Sequence, residues 1–369
     1  KKKEVQKSSS HYESILNATQ SRLIWLRFKK HKIAVLSLIL LIILYGVSLF
    51  AEFFTPYDIE KRFPSFENAR PSTVYLFDEN NKYVGFHFYE FKKEINRETF
   101  EVEFIEDKKK PVKIEFFTTG KSYKLLGVIP TNLKFYHSEK PFFLFGGDRL
   151  GRDLYTRTMI GMRISLFIGL GGVFFSFVLG CLFGGISGYF GGFIDNVIQR
   201  MIDVLLSIPT IPLWMALAAA IPRDWTVLQT YFAITIVLAI VGWAGLARVV
   251  RGKLLALREE DYILAAQIAG VKESKIIVTH LLPNFFSYLI VHLTLAIPAT
   301  ILGETALSFL GLGIQPPAVS WGSLLKDAQD LVTVAERPWQ LIPGAFVVFA
   351  VLMFNFIGDG LRDAADPYS

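Results

Sequence analysis

Six long apolar runs divide this chain. Residues 33–54 form the first, and 164–183, 205–221, 231–250, 285–302 and 341–357 follow, each close to the length a helix needs to cross a bilayer. The first is too long for a signal-peptide core and no small-residue cleavage site follows it, so it reads as a retained span. Just before it, residues 21–32 alternate Leu23, Ile24, Leu26 and Phe28 with Arg22, Arg27, Lys29 and Lys30, which predicts a helix in the headgroup plane with Trp25 at the interface. After it the period changes from that of a helix to that of a strand. Residues 73–78, 83–89, 101–106 and 112–117 are short β-type runs, separated by the turn clusters Glu79-Asn80-Asn81 and Asp107 to Pro111. Gly120-Lys121-Ser122 is read as a further hairpin turn. It resembles the end of a phosphate-binding loop, but Glu115 stands where that loop needs glycine, and no strand-to-helix switch follows.

One polar stretch, residues 258–284, interrupts the apolar pattern between the fourth and fifth runs. Asp261 is placed to cap a helix carrying Ile263, Leu264, Ala265, Ala266 and Ile268, and Gly270 supplies the left-handed residue that ends it. Ile276, Ile277 and Leu281 continue on a second helix stopped by Pro283. A short helix pair with one apolar face, held outside the bilayer, reads as a docking element for another protein.

Composition agrees with a polytopic membrane protein: 52% of residues are hydrophobic, 14% are aromatic, and mean hydropathy is +0.39. The net charge of +6 is therefore no nucleic-acid signal. Nine Lys/Arg against two acids fill residues 1–32, and Arg248, Arg251, Lys253 and Arg258 lead into the polar loop. Under the positive-inside rule this places both termini and the loop in the cytoplasm, with the β-rich insert outside. The six histidines are scattered and no HExxH occurs, which argues against an intramembrane enzyme. The single Cys181 reads as a small packing residue. An ion-coupled carrier or channel acting without ATPase partners is the alternative, although few ionisable residues lie within the spans.

Individual residues carry further expectations. Gly180, Gly184, Gly188 and Gly192 form a four-residue stripe suited to close helix packing in lipid. Pro209, Pro212 and Pro298 interrupt the third and fifth spans. Asp148 is expected to cap an interfacial helix near Leu150, leaving Arg149, Arg152 and Arg157 at the outer surface. Trp321 and Trp339 suit an outer-interface anchor. Glu304 and Pro298 are candidates for the substrate path, the former because an intramembrane carboxylate is costly unless it has a role. Asp359, Arg362 and Asp363 close the last span.

Four segments carry a resemblance to a known family. Ala265-Ala266, Gly270 and Leu282-Pro283 look like the EAA loop of ABC importer permeases, with Leu264 where the pattern has Glu and His280 where it has Ile. LFGGDRLGRDLYTR at 144–157, SFLGLGIQPPAVSWG at 308–322 and FNFIGDGLRDAADP at 354–367 resemble segments of C-type permeases of oligopeptide and dipeptide importers. The resemblance runs from Phe145 to the end and takes in the basic entry to the first span. It implies an all-α polytopic membrane protein of six transmembrane helices, like a type I ABC importer permease, here with an inserted extracytoplasmic β-rich domain. The expected organisation is a tail and interfacial helix (1–32), a first span (33–54), the insert (55–145) and a five-helix core (146–369). The resemblance implies a non-catalytic subunit in the plasma (inner) membrane of a bacterium or archaeon. Its partners would be a second homologous permease, two cytoplasmic ATPases and an extracytoplasmic peptide-binding protein. No cofactor is expected on this chain, ATP and Mg belonging to the ATPases. Asp261, Ala265, Ala266, Gly270, His280, Leu282 and Pro283 would couple to those ATPases. The resemblance gives the insert no job; from its placement alone it is expected to flank the outer mouth and help dock the binding protein.

Overall fold

A computed structural model of the chain describes residues 20–95, 97 and 102–366. The polar tail expected before residue 20 lies outside the described residues. Helix α1 (Gln20–Phe28) is followed by α2 (Lys32–Leu49) and a short turn, α3 (Ala51–Phe54). Strands β1 (Tyr75–Phe77), β2 (Tyr83–Ile95), β3 (Val102–Lys113), β4 (Glu115–Leu125) and β5 (Ile129–His137) make up the insert. Then come α4 (Leu154–Phe190), α5 (Gly192–Ser207), α6 (Thr210–Ala219) and α7 (Val227–Leu257). The polar loop holds α8 (Asp261–Ile268), α9 (Glu273–Lys275), a π-type turn (Ile276–Leu281) and α10 (Leu282–Asn284). The chain closes with α11 (Phe286–Phe309), α12 (Trp321–Lys326), α13 (Leu331–Glu336) and α14 (Ile342–Ala365).

Among the described residues, five helices are long and apolar enough to cross a membrane. The third run expected from the sequence is not one straight helix: α5 and α6 meet at 91° across Ile208 and Pro209. Pro209 is held at an extended ψ of 129°, and without an N–H it cannot continue the hydrogen-bond ladder of α5. The two short helices together still return the chain across the bundle. α4 and α7 run parallel, since Gly172 lies beside Thr235 and Leu238, Gly180 beside Leu246 and Gly188 beside Leu254. Two parallel helices need such a crossing between them. α11 and α14 complete the bundle, with Gly358 against Leu295 and Gly360 against Ala34 of α2 and Phe28 of α1. The entry to α2, the exit of α14 and the polar loop consequently share one end, and the insert stands at the other.

The glycine stripe sits in the α4–α7 contact. A Cβ on Gly180 would lie 2.8 Å from Leu246, and one on Gly184 2.6 Å from the Ala247 carbonyl oxygen. One on Gly188 would lie 2.8 Å from the Arg251 carbonyl oxygen. Gly192 stands outside this contact, beyond the helix break, with open space around it.

The first span is closed by an arginine that the apolar pattern conceals. Arg163 of α4 donates Nη1 and Nη2 to the two carboxylate oxygens of Glu52 at 2.7 Å each. It also donates to the carbonyls of Ser48 at 2.9 Å and Leu49 at 2.8 Å. One guanidinium thus satisfies two orphan carbonyls at the end of α2 and joins α2 to α4.

The insert comprises two separate sheets, β1-β2-β3 and β4-β5, all antiparallel. Four expectations change here. The run at 112–117 is not one strand, because Ile114 separates the end of β3 from the start of β4. The charged cluster from Asp107 to Pro111 is not a turn but lies within β3, because both faces of that strand carry exposed residues and Lys92 pairs with Asp107 across the ladder at 2.9 Å. Gly120 to Ser122 lies within β4, at a register shift opposite Thr131 to Leu133, and the hairpin turns instead at residues 126–128. β5, which carries no clear alternation, was not expected. Glu79-Asn80-Asn81 does form the β1–β2 turn, with Asn81 at φ +61°.

Candidate docking loop and buried polar junction

The polar loop is fastened to the bundle by its inner face. Ile263, Ile276 and Leu281 are buried with Leu246, Val250, Leu254, Phe285 and Leu289 in one apolar cluster, and Ala266, Val271 and Leu282 pack on it. α8 ends as its sequence demands: Gly270 has φ +74°, its N–H bonds the Gln267 carbonyl at 2.9 Å, and Val271 N–H reaches Ala266 at 3.1 Å. The outer face is apolar too. Tyr262, Leu264 and Ile268 are exposed, Ile268 to 88%, and Ala265 lies between them on the same side.

Several expected details differ. Asp261 does not cap α8; Glu260 holds the cap position without a side-chain bond, and Asp261 is the exposed acidic residue of the first turn, where the helix dipole favours it. Pro283 does not stop a helix but sits in the first turn of α10, and the direction changes at Phe285. Of His280 only the backbone is described, within the π-type turn.

Behind the loop, Arg251 of α7 holds Asp195 of α5 with two bonds of 2.5 Å. Ser187 of α4 donates to the same carboxylate, and Gln199 donates to Ser187 at 3.0 Å. Arg258 reaches the Tyr189 carbonyl at 3.4 Å, and Gln267 of α8 donates to the Tyr189 hydroxyl at 3.2 Å. A polar layer made of these two sets of bonds thus ties the foot of α4, the start of α5, α7 and the loop. Periodicity could not reveal it, although the basic run from Arg248 to Arg258 marks one side.

At the opposite end, Glu304 is fully buried. Its Oε1 accepts from Ser308 at 2.7 Å and its Oε2 from Ser165 at 2.9 Å. Those serines in turn accept the N–H groups of Ile314 at 2.9 Å and Trp321 at 3.1 Å. Glu304 therefore braces α4, α11 and the 311–320 loop, and its carboxylate has no exposed face in this chain. Pro298 is buried within an unbroken α11. Trp321 is no interface anchor: it is fully buried, and its indole N–H donates to the Thr158 carbonyl at 3.2 Å. Trp339 is only partly buried and its indole N–H lies 3.4 Å from the Gly147 carbonyl.

Asp148 organises a loop rather than a helix. It accepts from Leu150 and Arg152 N–H at 2.8 and 2.9 Å and pairs with Arg152 at 2.7 Å and Arg157 at 3.5 Å. Arg157 is buried, not at the surface, because Asp148 meets it inside. The cap of α4 is Asp153, which accepts from Thr156 N–H at 2.8 Å and the Thr156 hydroxyl at 2.6 Å.

This arrangement, a clamped loop with an apolar outer face at one end and a braced junction at the other, coincides with a family assignment. The model of the "Binding-protein-dependent transport system inner membrane component" matches residues 180–368. The chain belongs to this family of transport-system membrane components. A second model, "N-terminal TM domain of oligopeptide transport permease C", matches residues 19–71. These two matches leave residues 72–179 uncovered, the stretch that holds all five strands.

Curated members of the family align over most of their length. The oligopeptide transport system permease protein OppC of Haemophilus influenzae is 41% identical over 246 residues, covering 66% of this chain and 74% of that one. OppC of Bacillus subtilis is 39% identical over 224 residues, covering 60% and 71%. The dipeptide transport system permease protein DppC of Bacillus subtilis is 41% identical over 225 residues, covering 60% and 68%.

Proposed function

We propose that this chain is the C-type permease subunit of an ATP-driven peptide importer, forming half of the translocation pathway and leaving ATP hydrolysis to partner subunits. The observation that carries this reading is the loop: its buried face is fixed to α4, α7 and α11, while Tyr262, Leu264 and Ile268 stay exposed on one short helix. An apolar surface on a rigid mount suits a groove in a water-soluble partner, and a rigid mount transmits its displacement. Asp261, Ala265, Ala266, Gly270, His280, Leu282 and Pro283 belong to this joint with the two cytoplasmic ATPases.

The α5–α6 pair counts as the sixth span in this reading, so the termini and the loop are cytoplasmic and the insert faces the binding protein's side of an inner membrane. A second, homologous permease completes the pathway. The peptide cargo is proposed from the relatives' names, oligopeptide and dipeptide systems alike. Glu304 serves as a strut beside the path, and Pro298 packs within the same bundle.

The test is purification from the native membrane in mild detergent, with and without Gly270→Val. Wild type is expected to bring a second permease and P-loop ATPases whose hydrolysis drives peptide uptake. Valine at φ +74° strains the end of α8, so the variant should assemble yet hydrolyse ATP without matching uptake. Recovery of the chain without ATPases, from a complex that crosslinking shows to survive the detergent, would overturn the reading.

A further inference from the structure

The β4–β5 hairpin is a sheet of its own, touching the three-stranded sheet where Phe116 meets Phe86 at 5.4 Å, and it leans on the end of the first span. On α3, Ala51 is fully buried, and Phe53, two residues on, faces the opposite side of the helix. There its ring meets Phe117 of β4 at 6.4 Å and Phe135 of β5 at 6.0 Å. Along α2, Leu36, Ile39, Ile43 and Phe50 are exposed at helical spacing, a stripe that leads straight to Phe53. The hairpin therefore sits over the flank of the first span that the bundle leaves exposed. Lys134 pins it there, donating Nζ to the carbonyls of Glu52 at 2.7 Å and Thr55 at 2.9 Å.

The surface of the hairpin fits that position. Phe117 is 65% exposed although it takes φ +52°, an unfavourable conformation for a bulky residue that turns its ring toward Phe53. The turn is apolar where a water-facing turn favours Asn, Asp or Ser: Leu126, Val128 and Ile129 surround Gly127, with Val128 at 77% and Ile129 at 55% exposure. Lys124 stands exposed beside them.

We propose that the β4–β5 hairpin is a membrane-interface paddle, with Phe117 and the tip at residues 126–129 seated at the boundary between headgroups and acyl chains beside the first span. The leaflet, taken as the outer one, rests on the orientation given under Proposed function; lipid contact itself does not. The paddle fixes the height of the insert above the bilayer, leaving the three-stranded sheet free to face other partners.

The assembled importer in lipid nanodiscs, with Cys181→Ser as background, tests this. Spin labels are placed by Val128→Cys and, separately, Phe117→Cys, with Ile43→Cys as the lipid control and Lys108→Cys as the water control. Collision with oxygen is compared with collision with a water-soluble nickel chelate. The oxygen-to-nickel ratio at 128 and 117 should approach that at 43 and exceed that at 108 by at least about threefold, as for a group buried below the headgroups. A ratio equal to that at 108 would overturn the proposal. So would shielding from both relaxants, which would show a protein partner covering the hairpin.

Discussion

Arg251 and Asp195 meet end to end, Nε on Oδ1 and Nη2 on Oδ2, both at 2.5 Å. The pair joins α7 to the first turns of α5, and Ser187 of α4 closes the third side. Because α7 leads directly into the 258–284 loop, this contact ties the base of that loop to α4 and α5. A planar fork gripping a carboxylate resists rotation in a way that a single ammonium does not.

Breaking it should therefore destabilise the assembled protein and do so cooperatively. Arg251→Gln and Asp195→Asn are each expected to cost about 1–3 kcal/mol, the pair being only partly shielded from water, and the double variant should cost clearly less than their sum. Thermal unfolding of the purified complex checks this. Strict additivity would mean that the two residues do not act on each other.

The α4–α7 contact makes a sharper comparison between two helix glycines. Gly184→Ala places a methyl against the Ala247 carbonyl and the Val250 Cβ at 2.6 and 2.8 Å, so the helices must separate. The expected loss is about 1–3 kcal/mol. Gly252→Ala, with open space around it, should instead stabilise α7 by about 0.5–1 kcal/mol. Equal effects at both positions would show that α4 and α7 do not pack through this stripe.

Residue patterns told of these elements unevenly, and the reasons are physical. Apolar length locates the helices because a run of about 20 apolar residues can satisfy its backbone in lipid only by coiling into a helix, strands of a barrel being half as long and alternating. Gly270 is legible because glycine is the residue that takes its left-handed φ of +74° at least cost. In the insert β1 and β2 follow the expected runs, whereas the length of β3 does not, since it carries its charges on exposed faces where no hydrophobic alternation is enforced, and Lys92–Asp107 makes a charged run compatible with pairing. At the start of α4 two aspartates compete, and the choice of Asp153 over Asp148 as the cap depends on Arg152 and Arg157 claiming the latter. The sequence around Trp321 suggests an interface anchor because its partners, Thr158 and Ser165, lie on another helix more than a hundred residues earlier. The bracing of Glu304 was hidden for the same reason.

That bracing separates two roles for Glu304 by substitution. Glu304→Ala removes the acceptor for both Ser165 and Ser308 and leaves a cavity, so the folded chain should lose about 2–4 kcal/mol and fall in abundance. Glu304→Gln keeps an acceptor and the volume, and should leave abundance and the peptide concentration for half-maximal uptake near wild type. A glutamine variant of normal abundance with strongly weakened uptake would mean that the carboxylate serves the substrate, not the fold.

Asp153 makes the junction of the insert and α4 sensitive to pH. Its carboxyl is buried, and burial, with the nearby Asp148 adding to it, pushes its pKa up to about 7 despite the two bonds from Thr156. Tyr57 and Tyr136 also face it, but burial raises both above the usual tyrosine range, so they stay neutral across this window. In the unfolded chain the group titrates near the ordinary aspartate value of about 3.9. Between these values the folded state holds the proton and the unfolded state does not. The contribution of Asp153 to stability is thus fully present below about pH 4 and declines as pH rises through about 7. Asp153→Asn retains a capping oxygen without the charge, so its stability should lack this decline. Thermal midpoints of both complexes, measured from pH 4.5 to 8, should show wild type losing ground to the variant as pH rises. A constant difference across that range would place the Asp153 titration outside it.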